Sequence, residues 1–171
     1  MTQKSEKISF GAGCFWGVEH AFKQLEGVLK TEVGYQGGES DSPTYEEVCS
    51  KVTGHAEVVL VTYDPSTITL DRLLDAFFFM HDPTQLNRKG PDVGPQYRSV
   101  IFPDHDIMER KVREYLDTKA TDKFGDSLVT TIEKGPFFSA ETFHQDYLVN
   151  NPTGYCHIGF DIFQKLRQGL F

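Results

Sequence analysis

Lys7-Ile8-Ser9-Phe10-Gly11-Ala12-Gly13-Cys14-Phe15-Trp16-Gly17 changes periodicity halfway along. Lys7 to Phe10 alternates polar with apolar side chains, as a strand does, and Gly11 and Gly13 free the backbone for a sharp change of direction. Beyond Cys14, the residues Phe15, Val18, Phe22 and Leu25 recur at three- and four-residue steps, which predicts a helix that Gly27 is placed to end. Cys14 therefore opens a helix. Unpaired backbone N–H groups and the positive end of the helix dipole favour thiolate there, so the spacing predicts a nucleophile near neutral pH. A buried structural cysteine is the competing reading. A phosphate cradle is excluded, because after Gly11 and Gly13 the dinucleotide pattern needs a small residue at position 16, where Trp16 stands.

The 171 residues, 39% of them hydrophobic, fit a single catalytic domain spanning 1–171 with its own core. A formal net charge of -8 without any basic stripe argues against a nucleic-acid partner. The polar start, Met1 to Lys7, has no apolar core behind it, and the longest apolar run, Ala76 to Met80, is too short to span a bilayer. The expectation is a cytoplasmic, monomeric protein with no membrane association. Cys14, Cys49 and Cys156 are too few and too far apart for a disulfide framework or a zinc ribbon, and point to redox or nucleophilic use. The six histidines show no close-set ligand pattern, so no metal is expected.

Val28 to Tyr35 reads as a strand running into Gly37-Gly38, and Tyr45, Val48 and Cys49 fall on one side of a short helix, with Cys49 facing inward. Val58 to Tyr63 is apolar on both faces, the mark of a covered strand that begins at Glu57. Leu70, Leu73, Leu74, Phe77 and Phe78 form a helical stripe ending at His81-Asp82-Pro83, and Thr84 to Gln96 is irregular. Tyr97 to Phe102 predicts a strand, Asp104 a cap for a helix through Leu116, and Val129 to Glu133 a further strand. Ser139 is expected to cap a short helix through Tyr147. The whole predicts an α/β (α+β) two-layer sandwich, its mixed central sheet built from strand-helix-strand units. A long irregular tail, 150–171, carries Cys156 after the breakers Asn150 to Gly154, and Asp161 begins a terminal helix.

Glu57 has apolar neighbours, so desolvation raises its pKa and suits it to act as an acid. Tyr45, Tyr97 and Asp92 lie in or beside loops, where they can donate or order hydrogen bonds around an oxygen. A cysteine hydrolase using Cys14 with His55 or His144, and a redox-gated binding protein, are the alternative readings of these residues.

Five motifs decide among them: Gly13-Cys14-Phe15-Trp16-Gly17 with Glu19, Pro43-Thr44-Tyr45, Thr53-Gly54-His55-Ala56-Glu57, His81-Asp82-Pro83-Thr84, and Asp92-x-Gly94-x-Gln96-Tyr97-Arg98-Ser99. Together they resemble the A-type peptide methionine sulfoxide reductases over most of the chain. The resemblance implies reduction of the S epimer of methionine sulfoxide, free or in proteins, without metal or organic cofactor. It implies that Cys14 attacks the sulfoxide sulfur while Glu57 protonates the oxygen, with hydrogen bonds from Tyr45 and Tyr97. Phe15 and Trp16 would hold the methyl group, and Asp92 would order the polar side of the site. Cys14 would become a sulfenic acid, condensed by a second thiol to a disulfide that thioredoxin or a similar dithiol reduces. Cys156, on a tail free to swing, is the expected resolving thiol rather than the packed Cys49. The sequence departs from the family pattern at Gln36, Ser139 and Phe143, the last two beside Glu141 and His144.

Overall fold

The computed structural model describes residues 4–51 and 53–171; the first three residues of the polar start, and Val52, lie outside them. In chain order the elements are β1 (Glu6–Ala12), α1 (Phe15–Lys23), β2 (Val28–Gln36), α2 (Tyr45–Cys49), β3 (Ala56–Tyr63) and α3 (Leu70–Met80). There follow β4 (Arg88–Lys89), β5 (Asp92–Val93), β6 (Ser99–Pro103), α4 (Asp106–Tyr115), α5 (Thr121–Phe124), β7 (Thr131–Ile132), β8 (Phe138–Ser139), α6 (Tyr147–Asn150) and α7 (Phe160–Gln168).

The sheet runs β7-β6-β1-β3-β2-β8. β3 lies antiparallel between β1 and β2, while β6 and β7 pair in parallel across the α4 crossover. The sheet is thus mixed, as expected. One face packs Ile8, Phe10, Val33, Val59 and Val61 against Phe22 of α1, Leu74 and Phe77 of α3, Val112 of α4 and Leu166 of α7. The opposite face carries a smaller cluster of Ala56, Val58, Val100 and Phe102 under Phe137. Both faces of β3 are covered, which explains its unbroken apolar run.

Several local expectations are corrected. His105, not Asp104, caps α4, because it directly precedes the first helical residue and its Nδ1 accepts from the Met108 N–H at 3.2 Å. Ser139 caps nothing; its backbone pairs with Gly34 at the edge of β2. Tyr97 belongs to a 3-10 turn (Pro95–Tyr97), so the predicted strand starts only at Ser99, and Val129 to Glu133 contributes just Thr131–Ile132. The loop from Thr84 to Gln96 contains the small β4–β5 hairpin. Within 150–171 the irregular backbone is confined to 151–159 and the last three residues, because α7 docks through Phe163 and Leu166.

Candidate active site

Two neighbouring strands deliver the central pair. The antiparallel register sets Phe10 opposite Val59, so the end of β1 and the start of β3 meet at one edge of the fold. Gly13, at φ +97°, turns the chain there in a conformation L side chains rarely adopt, and Cys14 becomes the N-cap of α1. Glu57 is only 1% exposed. Its Oε1 accepts from the Phe15 N–H at 3.2 Å, and its Oε2 is buried with no hydrogen-bond partner in the described structure. Burial pushes the Glu57 pKa up to about 8, against the opposing pull of that N–H.

Cys14 behaves differently from the expectation of a ready thiolate. Burial, and after it the Glu57 carboxylate, push the thiol well above its ordinary range, and the Trp16 N–H only partly offsets them. The helix N-terminus is present, but desolvation outweighs it.

Tyr45 and Tyr97 both lie within the field of Glu57, and burial raises both phenols. The Tyr45 hydroxyl and the sulfur of Cys49 lie close enough to shift one another's pKa, and Cys49 is a half-buried neighbour of the site and not a core residue. The Tyr45 ring stacks with Phe15 at 6.4 Å. Phe15 is buried, and Trp16, partly buried, stacks on Tyr147 at 3.8 Å.

A strap on the edge of β2 completes this wall. Ala140 N–H donates to Val33 O at 3.0 Å, and the Gln145 side-chain amide both accepts from Val33 N–H and donates to Val33 O at 2.9 Å, imitating a strand partner. Glu19 fastens the far end of the strap by accepting from the Asp146 N–H at 2.8 Å. So held, His144 accepts from Trp16 Nε1–H at Nδ1 (3.0 Å) and turns Nε2 toward Glu141 at 3.3 Å, while Glu141 accepts from Tyr45 N–H and the Tyr35 hydroxyl. Sequence reasoning left Glu141 and His144 undecided. Of the departures beside them, Phe143 is 65% exposed and Ser139 pairs with Gly34 through its backbone.

The hydrolase reading loses its base. His55 Nδ1 accepts from Gly38 N–H and its Nε2 bonds Ser40 O, and the Nδ1 of His144 is taken by Trp16.

From the tail, Tyr155 donates its hydroxyl to Asp92 Oδ2 at 2.8 Å. Cys156 lies over the first turn of α1: a Cβ on Gly17 would come within 2.9 Å of its sulfur. The structure therefore gathers Cys14, Glu57, Tyr45, Tyr97, Asp92 and Cys156 around one point, with Tyr155 and His157 as members the sequence had not marked.

A buried thiol beside a buried carboxyl with a raised pKa, and a second thiol over the same helix turn, are parts that a thiol-dependent redox site on a mixed α/β sandwich requires. The family model described as Peptide methionine sulfoxide reductase matches residues 6–169, and the chain belongs to that family. It is 52% identical over 155 residues to the Peptide methionine sulfoxide reductase MsrA of Methanothermobacter thermautotrophicus, covering 90% of this chain and 92% of that one. Among solved structures it is similar to Mxr1 from Saccharomyces cerevisiae in reduced form, with TM-score 0.82, 41% identity and coverage of 90% and 89% of the two chains. It is also similar to Mxr1 in complex with Trx2, with TM-score 0.60, 28% identity and coverage of 86% and 87%.

Proposed function

We propose that this protein reduces the S epimer of methionine sulfoxide, free or protein-bound, with Cys14 as nucleophile and Glu57 as acid. The observation that carries the reading is Glu57: a buried carboxyl, protonated near neutral pH, with one oxygen anchored by Phe15 and the other unpartnered beside Cys14. A sulfoxide oxygen seated there accepts the Glu57 proton as the Cys14 sulfur attacks the sulfoxide sulfur. The oxygen passes to Cys14 as a sulfenic acid, methionine leaves, and the Cys14 thiol proton returns to the Glu57 carboxylate. A neutral thiol suffices, because protonation of the oxygen makes the sulfur electrophilic. Phe15 and Trp16 offer the apolar contact for the methyl group. Tyr45 and Tyr97 offer hydroxyls to the oxygen once Tyr45 exchanges Cys49 for substrate, and Asp92 orders the polar side through Tyr155.

Cys156 then condenses with the sulfenic acid, and a thioredoxin-type dithiol reduces the disulfide in the cytoplasm. The similarity to Mxr1 in complex with Trx2 supports that reductant. The tail 151–159 lies over Cys14, which is 8% exposed, so it lifts to admit substrate and returns to resolve. The test is incubation of the reduced protein with each sulfoxide epimer. One methionine released and two thiols consumed per turnover, with the S epimer alone, supports the reading; release without thiol loss refutes it.

A further inference from the structure

The imidazole of His157 is wedged between the turn at Gly13 and the first turn of α1: Cβ atoms placed on Gly13 and Gly17 would lie 2.8 Å from its Nε2 and 3.4 Å from its Nδ1. Its Nε2 is 3.0 Å from the carbonyl oxygen of Ala12, which can only accept, so Nε2 carries the proton. Nδ1 is thereby left as a lone-pair acceptor, and it is buried without a partner. An orphaned buried acceptor is costly, and this one and the sulfur of Cys156 both face Gly17, 3.4 and 2.9 Å from where its Cβ would stand. The Cys156 thiol in turn donates to Ile158 O at 3.2 Å, an atom that cannot keep its proton.

We infer that His157 is the base of the disulfide-forming step: its Nδ1 takes the proton from the Cys156 thiol as that sulfur attacks the sulfenic acid of Cys14. The inference rests on the reductase reading and adds the residue that drives its second half. The Cys156–Cys14 sulfur bond forms, the Cys14 S–O bond breaks, and the departing hydroxide takes the Glu57 proton and leaves as water. Cys14 is reduced and Cys156 oxidised by one unit each, and one proton stays on His157. The imidazole lines a cleft of about 470 Å³ together with His81, Lys89 and Cys156 among others.

Two features support the assignment. Burial raises the Cys156 thiol above its ordinary range, so a thiolate is scarce without a base. Burial disfavours a charged His157, the hydrogen bond to Ala12 O and the Asp92 carboxylate favour one, and Lys89 opposes it. Asp92 itself is engaged by the Tyr155 hydroxyl.

His157→Gln retains a donor for Ala12 O and lacks the acceptor nitrogen; His157→Asn lacks it too. Each reduced protein is mixed with one equivalent of an S-sulfoxide, and thioether, free thiols and dimedone-trapped sulfenic acid are followed. Expected in both variants is release of one thioether per enzyme, which also reports a folded site, followed by disulfide formation slowed about 100-fold more than that release. That slow step should climb about tenfold per pH unit across neutrality as hydroxide replaces the lost base, whereas the parent's stays flat. Parental disulfide rates in the variants, or equal slowing of both steps, overturn the assignment. Oxidising Cys14 with hydrogen peroxide and timing disulfide closure repeats the test without substrate. A parent that releases no thioether therefore refutes the reductase reading, while the role of His157 is still decided.

Discussion

The Phe15 backbone N–H holds one oxygen of the Glu57 carboxyl at 3.2 Å and leaves the other buried and unpartnered. Glu57→Gln preserves that contact and removes the transferable proton. Methionine release in a single turnover should slow by roughly 100- to 10,000-fold, while alkylation of Cys14 at neutral pH changes little. In the parent, the rate should fall as pH rises through about 8, where the acid is lost, and the variant should show no such fall. The same raised pKa makes the unfolded state the weaker proton binder. The Glu57 contribution to native stability is thus fullest below pH 4.5 and is lost as pH rises toward about 8, by roughly 1.4 kcal/mol per pH unit. Thermal melts of parent and variant across this range check the sign.

Cys156→Ser should release about one methionine per enzyme and then stall with thioredoxin as sole reductant. Cys49→Ser should cycle nearly as the parent, because it is the Cys156 sulfur, not that of Cys49, that lies over Gly17 in the first turn of α1. Peptide mapping after sulfoxide treatment should recover Cys14 joined to Cys156. A Cys14–Cys49 bridge as the main product would sink the assignment.

Gly17→Ala removes a helix-weakening glycine but sets a methyl group 2.9 Å from the Cys156 sulfur. The tail must shift. Expected is an unchanged first methionine and disulfide formation slowed about 10- to 100-fold, read by thiol counting in quenched flow.

Arg98 bridges three segments: its guanidinium grips both oxygens of Glu133 at 2.8 and 2.9 Å and donates to Gly54 O and Pro95 O. Its side chain is 14% exposed. Arg98→Ala should cost roughly 2–4 kcal/mol, measured as a lower urea midpoint at unchanged slope.

The strand-turn-helix around Cys14 was legible because its two periodicities meet at glycines, and Glu57 because an isolated carboxyl began an apolar run. What escaped depended on distant partners. Whether Cys14 ionises is decided by the tail and Glu57 lying over it, not by its own helix. Ser139 looked like a cap because the Gly34 backbone that claims it is over a hundred residues away. His157 follows Cys156 in a stretch without periodicity, so only its contacts with Ala12 and Gly17 mark it.

The ladder that sets Phe10 against Val59 separates the reaction by how the backbone breathes. Amides of β1 and β3 sit inside a sheet covered on both faces, so they should exchange with deuterium only through global unfolding. Amides of 151–159 outside the sheet should exchange through local opening. Oxygen transfer is thus built on the slowest-exchanging part of the molecule, and its thiol recycling on a part that opens many times before the domain unfolds once.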